Sequence, residues 1–324
     1  MIRPNIFAGD ELDRVGMERK DPAWVAAQFK AGDTRVLPLW RNANLVLQPV
    51  SDSAEGGGDL PPTLLLLDVA TARQLAPEAD MILLGVTRQG ETRFALDISH
   101  LAAPLDDIGL ADAKTADLRD LAGTLAHAES AMLAQARALV QWHAGHKFCA
   151  KCGSKTESRE GGHVRVCLNA DCGASHFPRT DPAVIMLVTN GERCLLARRA
   201  GNAQPMFSTL AGFVEPAESL EEAVAREVLE EVGLRVHDVT YQSSQPWPFP
   251  AQLMLGFRAE TRDEAFRLQE DEIADARWFT RADLQRVLAA EASGEPALFD
   301  GREVRMARAI SIARRLVEDW VAEG

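Results

Sequence analysis

GFVEPAESLEEAVAREVLEEVGL, residues 212–234, spells out a helix together with both of its ends. Ser219, followed three positions later by Glu222, forms an S-x-x-E capping box. Leu220, Val224 and Val228 repeat every four residues as a buried stripe, and Gly233 supplies the left-handed residue that stops a helix. The pattern predicts a helix over 219–232. Glu227, Glu230 and Glu231, at i, i+3 and i+4, then leave from one face. Three carboxylates so close repel one another, and hard divalent cations relieve that repulsion by oxygen ligation. A solvated acidic face would account for the glutamates alone; the loop-helix-loop frame around them argues for a built site. Mg2+ and Mn2+ are cations of that kind, suited to a carboxylate cage.

Outward from this helix, strand-like runs at 183–189 and 194–199 precede it. Runs at 253–259 and 276–279 follow, then helices over 281–292 and 303–321. Alternating strands and helices predict a layered α/β (α+β) core. Upstream, Leu118, Leu121, Leu125, Met132 and Leu139 predict one long amphipathic helix over 117–143. Runs at 64–69, 81–87 and 92–98, the last two joined by a turn at Gly90, predict a small N-terminal sheet domain. SDSAEGGGDLPP, residues 51–62, has nothing to bury and predicts a mobile surface loop. The expected division is a sheet domain 1–116, a linking helix 117–144, a cysteine segment 145–178 and a catalytic domain 179–324.

In the cysteine segment Cys149 and Cys152 form one knuckle and Cys167 and Cys172 a second, separated by a glycine-containing stretch. Four thiolates fill a tetrahedron, so the expected ion is one structural Zn2+ per chain with no position open for catalysis. Free or disulfide-bonded thiols are the alternative, disfavoured by the ligand spacing. The second knuckle is the longer, with four residues between its cysteines. His163 and His176 lie close enough to replace a thiolate, but packing roles are expected for both. Cys194, in an apolar run, is expected to be a buried strand thiol.

The 324 residues allow two domains of ordinary size, and the 46% hydrophobic and 26% charged fractions are those of globular chains. No apolar run is long enough for a membrane span. Residues 1–12 lack the apolar stretch of a secretory peptide, so a cytoplasmic location is expected. The net charge of -13 opposes general binding to nucleic-acid backbones; a polynucleotide substrate would have to be gripped locally.

The 212–234 stretch matches GX5EX7REUXEEXGU at every specified position and resembles the box of the Nudix hydrolases. That resemblance implies an α/β/α sandwich with a mixed sheet. It also implies metal ligation by Glu227, Glu231 and the backbone carbonyl of Ala211, with Glu230 a further catalytic carboxylate and Arg226 an orienting residue. Glu272 matches a metal-binding glutamate outside the box. Downstream, SQPWPFP at 244–250 sets three rigid prolines around two aromatics, a preorganised surface on which flat rings could stack. The run is similar to the signature of the NADH pyrophosphatase family of Nudix enzymes, whose zinc ribbon also precedes the catalytic domain. The likeness covers 117–324 closely and the first hundred residues loosely.

Membership of that family implies hydrolysis of NADH or NAD+ to NMN(H) and AMP by a homodimer. It implies substrate contacts at Gln245, Pro246, Trp247, Pro248, Phe249, Pro250, Ala251 and Gln252, a nicotinamide stacked on Phe213, and further contacts at Phe177, Ala313 and Arg119. Two positions depart from the pattern: Gln252 where relatives often have Ser, and Phe177 where they often have Tyr. Taken alone, the proline-aromatic run would suit a packed loop and Arg119 a surface ion pair. Removal of NAD caps from RNA 5′ ends breaks the same bond and is a close rival. A noncatalytic dinucleotide-binding module is the rival from another class; the intact Glu227, Glu230 and Glu231 speak against it.

Overall fold

The computed structural model describes residues 4–47, 61–110, 112–201 and 204–323. The loop expected at 51–62 lies, apart from its last two residues, outside them.

The N-terminal unit runs α1 (Pro22–Gln28), β1 (Arg35–Trp40), β2 (Ala43–Leu47), β3 (Thr63–Leu64), α2 (Val69–Leu75), β4 (Met81–Val86), β5 (Thr92–Asp97), α3 (Pro104–Ile108) and β6 (Ala113–Ala116). The strands order as β3-β2-β1-β5-β4, with β6 on β2; β1 and β5 are parallel and β4 and β5 form the expected hairpin. The strand expected at 64–69 is β3 followed by an isolated bridge from Leu67 to Val36, and it goes no further because the Asp68 carboxylate accepts the Thr71 amide at 2.7 Å and caps a helix from Val69. β1, β2 and β6 were not expected. Pro38 inside β1 disguises a buried strand as a turn.

The single helix expected over 117–143 is two, α4 (Leu118–Leu121) and α5 (His127–Gly145). Gly123 at φ +92° and the Thr124 hydroxyl, donating to the Leu121 carbonyl at 2.8 Å, divert the chain between them. After α5 come three short antiparallel strands, β7 (Thr156–Arg159), β8 (Val164–Cys167) and β9 (Ser175–His176).

The C-terminal unit holds β10 (Asp181–Asn190), β11 (Arg193–Arg199), β12 (Met206–Phe207), β13 (Leu210–Phe213), α6 (Leu220–Val232), β14 (Val236–Trp247), β15 (Gln252–Thr261), β16 (Ile273–Thr280), α7 (Arg281–Ala292) and α8 (Ile312–Ala322). Its sheet orders as β14-β15-β10-β11-β16, with β13 on β10; β10 and β15 are parallel and the remaining pairs antiparallel, so the sheet is mixed. Alternation along β10 divides the core. Val184, Met186 and Val188 pack toward α6, while Ile185 and Leu187 pack toward α7 and α8, giving the α/β/α sandwich. The helix expected from 303 begins only at Ile312, capped by Ser311; the residues before it include short paired strands at Arg302–Glu303 and Arg305–Met306. Among the described residues no helix is long and apolar enough to cross a membrane.

Candidate active site

α6 has the ends its sequence specifies. Ser219 Oγ accepts the Glu222 amide at 3.3 Å, the Glu222 carboxylate accepts the Ser219 amide at 2.8 Å, and Gly233 sits at φ +70°. Val224, Val228 and Val232 are fully buried, which fixes the rotation of the helix and turns Glu227, Glu230 and Glu231 toward β13 and the loop before β16. Gly212 lets Glu227 in: a Cβ there would lie 1.8 Å from the Glu227 carboxyl carbon.

One guanidinium organises the carboxylates. Arg226 takes both oxygens of Glu218 at 2.7 and 2.9 Å, then Glu227 at 2.9 Å, Glu230 at 3.0 Å and the Phe213 carbonyl at 2.9 Å. The pairing with Arg226 drives the Glu218 carboxyl down to about 2. Glu231 has the opposite environment. It is 2% exposed; burial pushes its carboxyl up to about 7, opposed by Arg199 and reinforced by Glu227 and Glu272. Burial likewise raises Glu227. Glu231 Oε2 has no hydrogen-bond partner among the described residues, an orphaned acceptor that suits a cation. Ala211 turns its carbonyl to the same spot, where it accepts Arg199 Nη2 at 2.8 Å.

Arg199, Ala211, Arg226, Glu227, Glu230 and Glu231 line a cavity of about 1070 Å³ that also takes in Glu272, Phe213, Gln245, Trp247, Gln252 and Ala313. Of the expected substrate residues, Arg119, Phe177, Pro246, Pro248, Phe249, Pro250 and Ala251 do not line it. Pro246 and Trp247 end β14, paired with Leu253 and Gln252 of β15, rather than standing in a free loop. The Arg119 guanidinium lies 3.7 Å from the centre of the Phe249 ring, with Arg137 at 4.9 Å and edge contacts from Phe7 and Trp247 at 5.9 and 5.2 Å. Phe249 is thus clamped in place behind Trp247. The Gln245 side chain, 1% exposed, donates to the Ile6 and Ile310 carbonyls and accepts the Ile312 amide, so it ties strand to termini. Phe213 and Phe177 are exposed, at 53% and 66%. Glu218 is a specified position of the 212–234 pattern to which the sequence alone assigns no role, whereas Arg199 and the N-terminal residues Asn5 to Phe7 are not singled out by it at all. Nothing local marks Arg199 or Asn5 to Phe7, since their roles arise only from the tertiary fold.

The four cysteines converge: Cys149, Cys152, Cys167 and Cys172 bring their sulfurs within 4.8 Å of one another, with pairs at 3.8 and 3.4 Å. Sulfurs about 2.3 Å from a zinc ion stand about 3.8 Å apart in a tetrahedron, so the donor set fits Zn2+. The longer second knuckle closes because the Asn169 carbonyl accepts the Cys172 and Gly173 amides, both at 2.9 Å. His176 lies 3.2 Å from Cys149 Sγ as an outer partner, and His163 packs on the Leu83 carbonyl at 2.8 Å. Cys194 is buried in β11, away from the cluster.

Family models match three consecutive stretches between residues 33 and 300. The NADH pyrophosphatase-like rudimentary NUDIX domain matches 33–142, the NADH pyrophosphatase zinc ribbon domain 144–177 and the NUDIX domain 179–300. The chain is 38% identical over 323 residues to a protein of Mycobacterium bovis named NAD-capped RNA hydrolase NudC, covering 96% of this chain and 94% of that one. It is 43% identical over 201 residues to NAD-capped RNA hydrolase NUDT12 of Macaca fascicularis, covering 60% of this chain and 42% of that one. A crystal structure of a NUDIX hydrolase from Nitrosomonas europaea overlaps at a TM-score of 0.35 and 24% identity, over 50% of this chain and 98% of that one. With a zinc ribbon, an intact box on α6 and a relative alike over almost its whole length, the chain belongs to the NudC-type NADH pyrophosphatase family of Nudix hydrolases.

Proposed function

We propose that the chain hydrolyses the diphosphate bond of NADH and NAD+, giving NMN(H) and AMP, with Mg2+ or Mn2+ at the α6 carboxylates and Zn2+ at the cysteines. The observation that carries it is the convergence, on one cavity, of Glu227, Glu231, Glu272 and the Ala211 carbonyl with an aromatic wall at Trp247. When bound, the divalent cation supplies charge neutralisation to the diphosphate oxygens and makes water the stronger nucleophile. The chain's own residues do the rest. Glu227, Glu231, Glu272 and the Ala211 carbonyl would hold the cation, and Arg226 keeps Glu227 and Glu230 aimed through its fixed bonds to Glu218. Trp247, Phe213, Gln252 and Ala313 would receive the nicotinamide nucleoside, with Arg119 and Phe249 acting behind Trp247 by holding it.

Phe177 stands exposed and outside its own chain's cavity, which favours a homodimer in which it meets the substrate of a second copy. A cytoplasmic location, where NAD(H) is abundant, and the four-part division at 116, 144 and 178 belong to the same proposal. Removal of NAD caps from RNA is the second reading, favoured by the names of the relatives above; the net charge of -13 confines RNA contact to the cavity mouth. The test is NADH turnover by the zinc-loaded chain with and without added Mg2+ or Mn2+, products identified by mass. AMP and NMNH formed only with the divalent ion are expected. No turnover, or cleavage elsewhere than between the phosphorus atoms, would refute the assignment. NAD-capped RNA turned over far more slowly than NADH at physiological salt would eliminate the second reading.

A further inference from the structure

Arg199 ends β11 beside a register irregularity at Arg198/Arg199. Its side chain is 69% exposed, yet Nη2 reaches into the cavity, donating to the Ala211 carbonyl at 2.8 Å and lying 4.0 Å from Glu231 Oε1. These two oxygens are ones the proposed function gives to the divalent ion. The guanidinium therefore occupies a cation's place. It cannot keep that place once a divalent ion takes the same oxygens, because like charges so near repel and the carbonyl lone pairs are limited.

We infer that Arg199 is the resident counter-cation of the metal site. It steadies the Ala211 carbonyl and Glu231 in the metal-free protein, competes with the incoming ion, and once displaced is a guanidinium free to grip the diphosphate. The inference rests on the metal-binding reading of Glu231 and Ala211. Two observations favour exchange over a permanent ion pair. The exposed stem can swing away without unpacking the core, and at 4.0 Å the pair with Glu231 is weak. Arg226, the other guanidinium of the cavity, contrasts with it: its bonds to Glu218, Glu227, Glu230 and the Phe213 carbonyl tether it.

Metal affinity reads the counter-cation role of Arg199 without any turnover. Mn2+ binding to the zinc-loaded full chain, followed by the spin-resonance signal of free Mn2+, would compare the wild type with Arg199→Gln and Arg199→Lys at fixed ionic strength. Arg199→Gln is expected to bind its tightest Mn2+ about fivefold more strongly, with Arg199→Lys close to wild type. In parallel, KM for NADH should rise in Arg199→Gln while the Mn2+ concentration for half-maximal turnover falls, opposite movements that a merely structural role would not produce. Unchanged or weaker Mn2+ binding in Arg199→Gln overturns the inference and leaves the proposed function standing. A wild type that takes up no Mn2+ overturns both.

Discussion

Glu231 combines two demands that conflict in the absence of metal: it is buried at 2% exposure and it faces like charges. Spacing alone reveals that it shares a face with Glu227 and Glu230, because helical periodicity is local. Its burial, its orphaned oxygen and the empty volume that Gly212 leaves for Glu227 depend on β13 lying across the helix, which no local pattern encodes. The raised carboxyl has a consequence for stability. Its ordinary value is 4.5 and its folded value about 7, so between these pH values the unfolded chain releases a proton that the folded chain keeps. Metal-free protein should therefore lose stability as pH rises through that window, by at most about 3 kcal/mol. Glu231→Gln should flatten that slope in denaturant melts without metal, and lower kcat by ~100-fold or more while the fold persists. A variant with the wild-type slope and turnover would contradict the account of this residue.

At the scale of elements, α6 and the strands β10, β11, β15 and β16 follow from their periodicity, whereas β13 and β14, which flank α6 in the chain and the second of which ends in the SQPWPFP run, do not. The prolines of that run suggest a loop, yet Ser244 to Trp247 are the end of β14, at the margin of the sheet, where a missing N–H costs no ladder bond. The break between α4 and α5 is hidden in the sequence for the complementary reason: apolar residues continue in phase across Gly123, and only its backbone turns the chain. β14 in turn is held by a segment remote in sequence. Asn5 donates to the Ser244 carbonyl at 2.7 Å, and the Phe7 ring, 3% exposed, meets Trp247 and Phe249 at 5.9 Å each. Phe7→Ala should cost about 3–5 kcal/mol in stability and, below the melting range, raise KM for NADH more than it lowers kcat, since it loosens a binding wall and leaves the carboxylates alone. Steady-state kinetics at two temperatures checks this. A pure kcat loss would contradict it.

Over the whole molecule, the zinc ribbon is packed against α5 and the N-terminal sheet. His143 Nε2 meets the Gly162 carbonyl at 2.7 Å, Arg165 pairs with Asp80 at 3.1 Å, and a Cβ at Gly161 or Gly162 would lie 2.9 Å from Leu83 or Ile82 of the N-terminal sheet. The cysteine spacing announces the ion; these cross-contacts, made by residues of ordinary type, are invisible without the fold. Cys149→Ser should lower zinc content and destabilise the N-terminal sheet together with the ribbon, seen as a fall in melting temperature and lost amide protection in both. Protection lost in the ribbon alone would show that the N-terminal sheet stands without it. The central claim, that α6 gathers divalent ions where a diphosphate can lie, is tested most directly by anomalous scattering from crystals soaked in Mn2+. The account predicts a peak bounded by Glu227, Glu231 and the Ala211 carbonyl. A bare α6 with manganese only at the surface cluster of half-buried His237 with exposed Asp238 and Glu260 would contradict it.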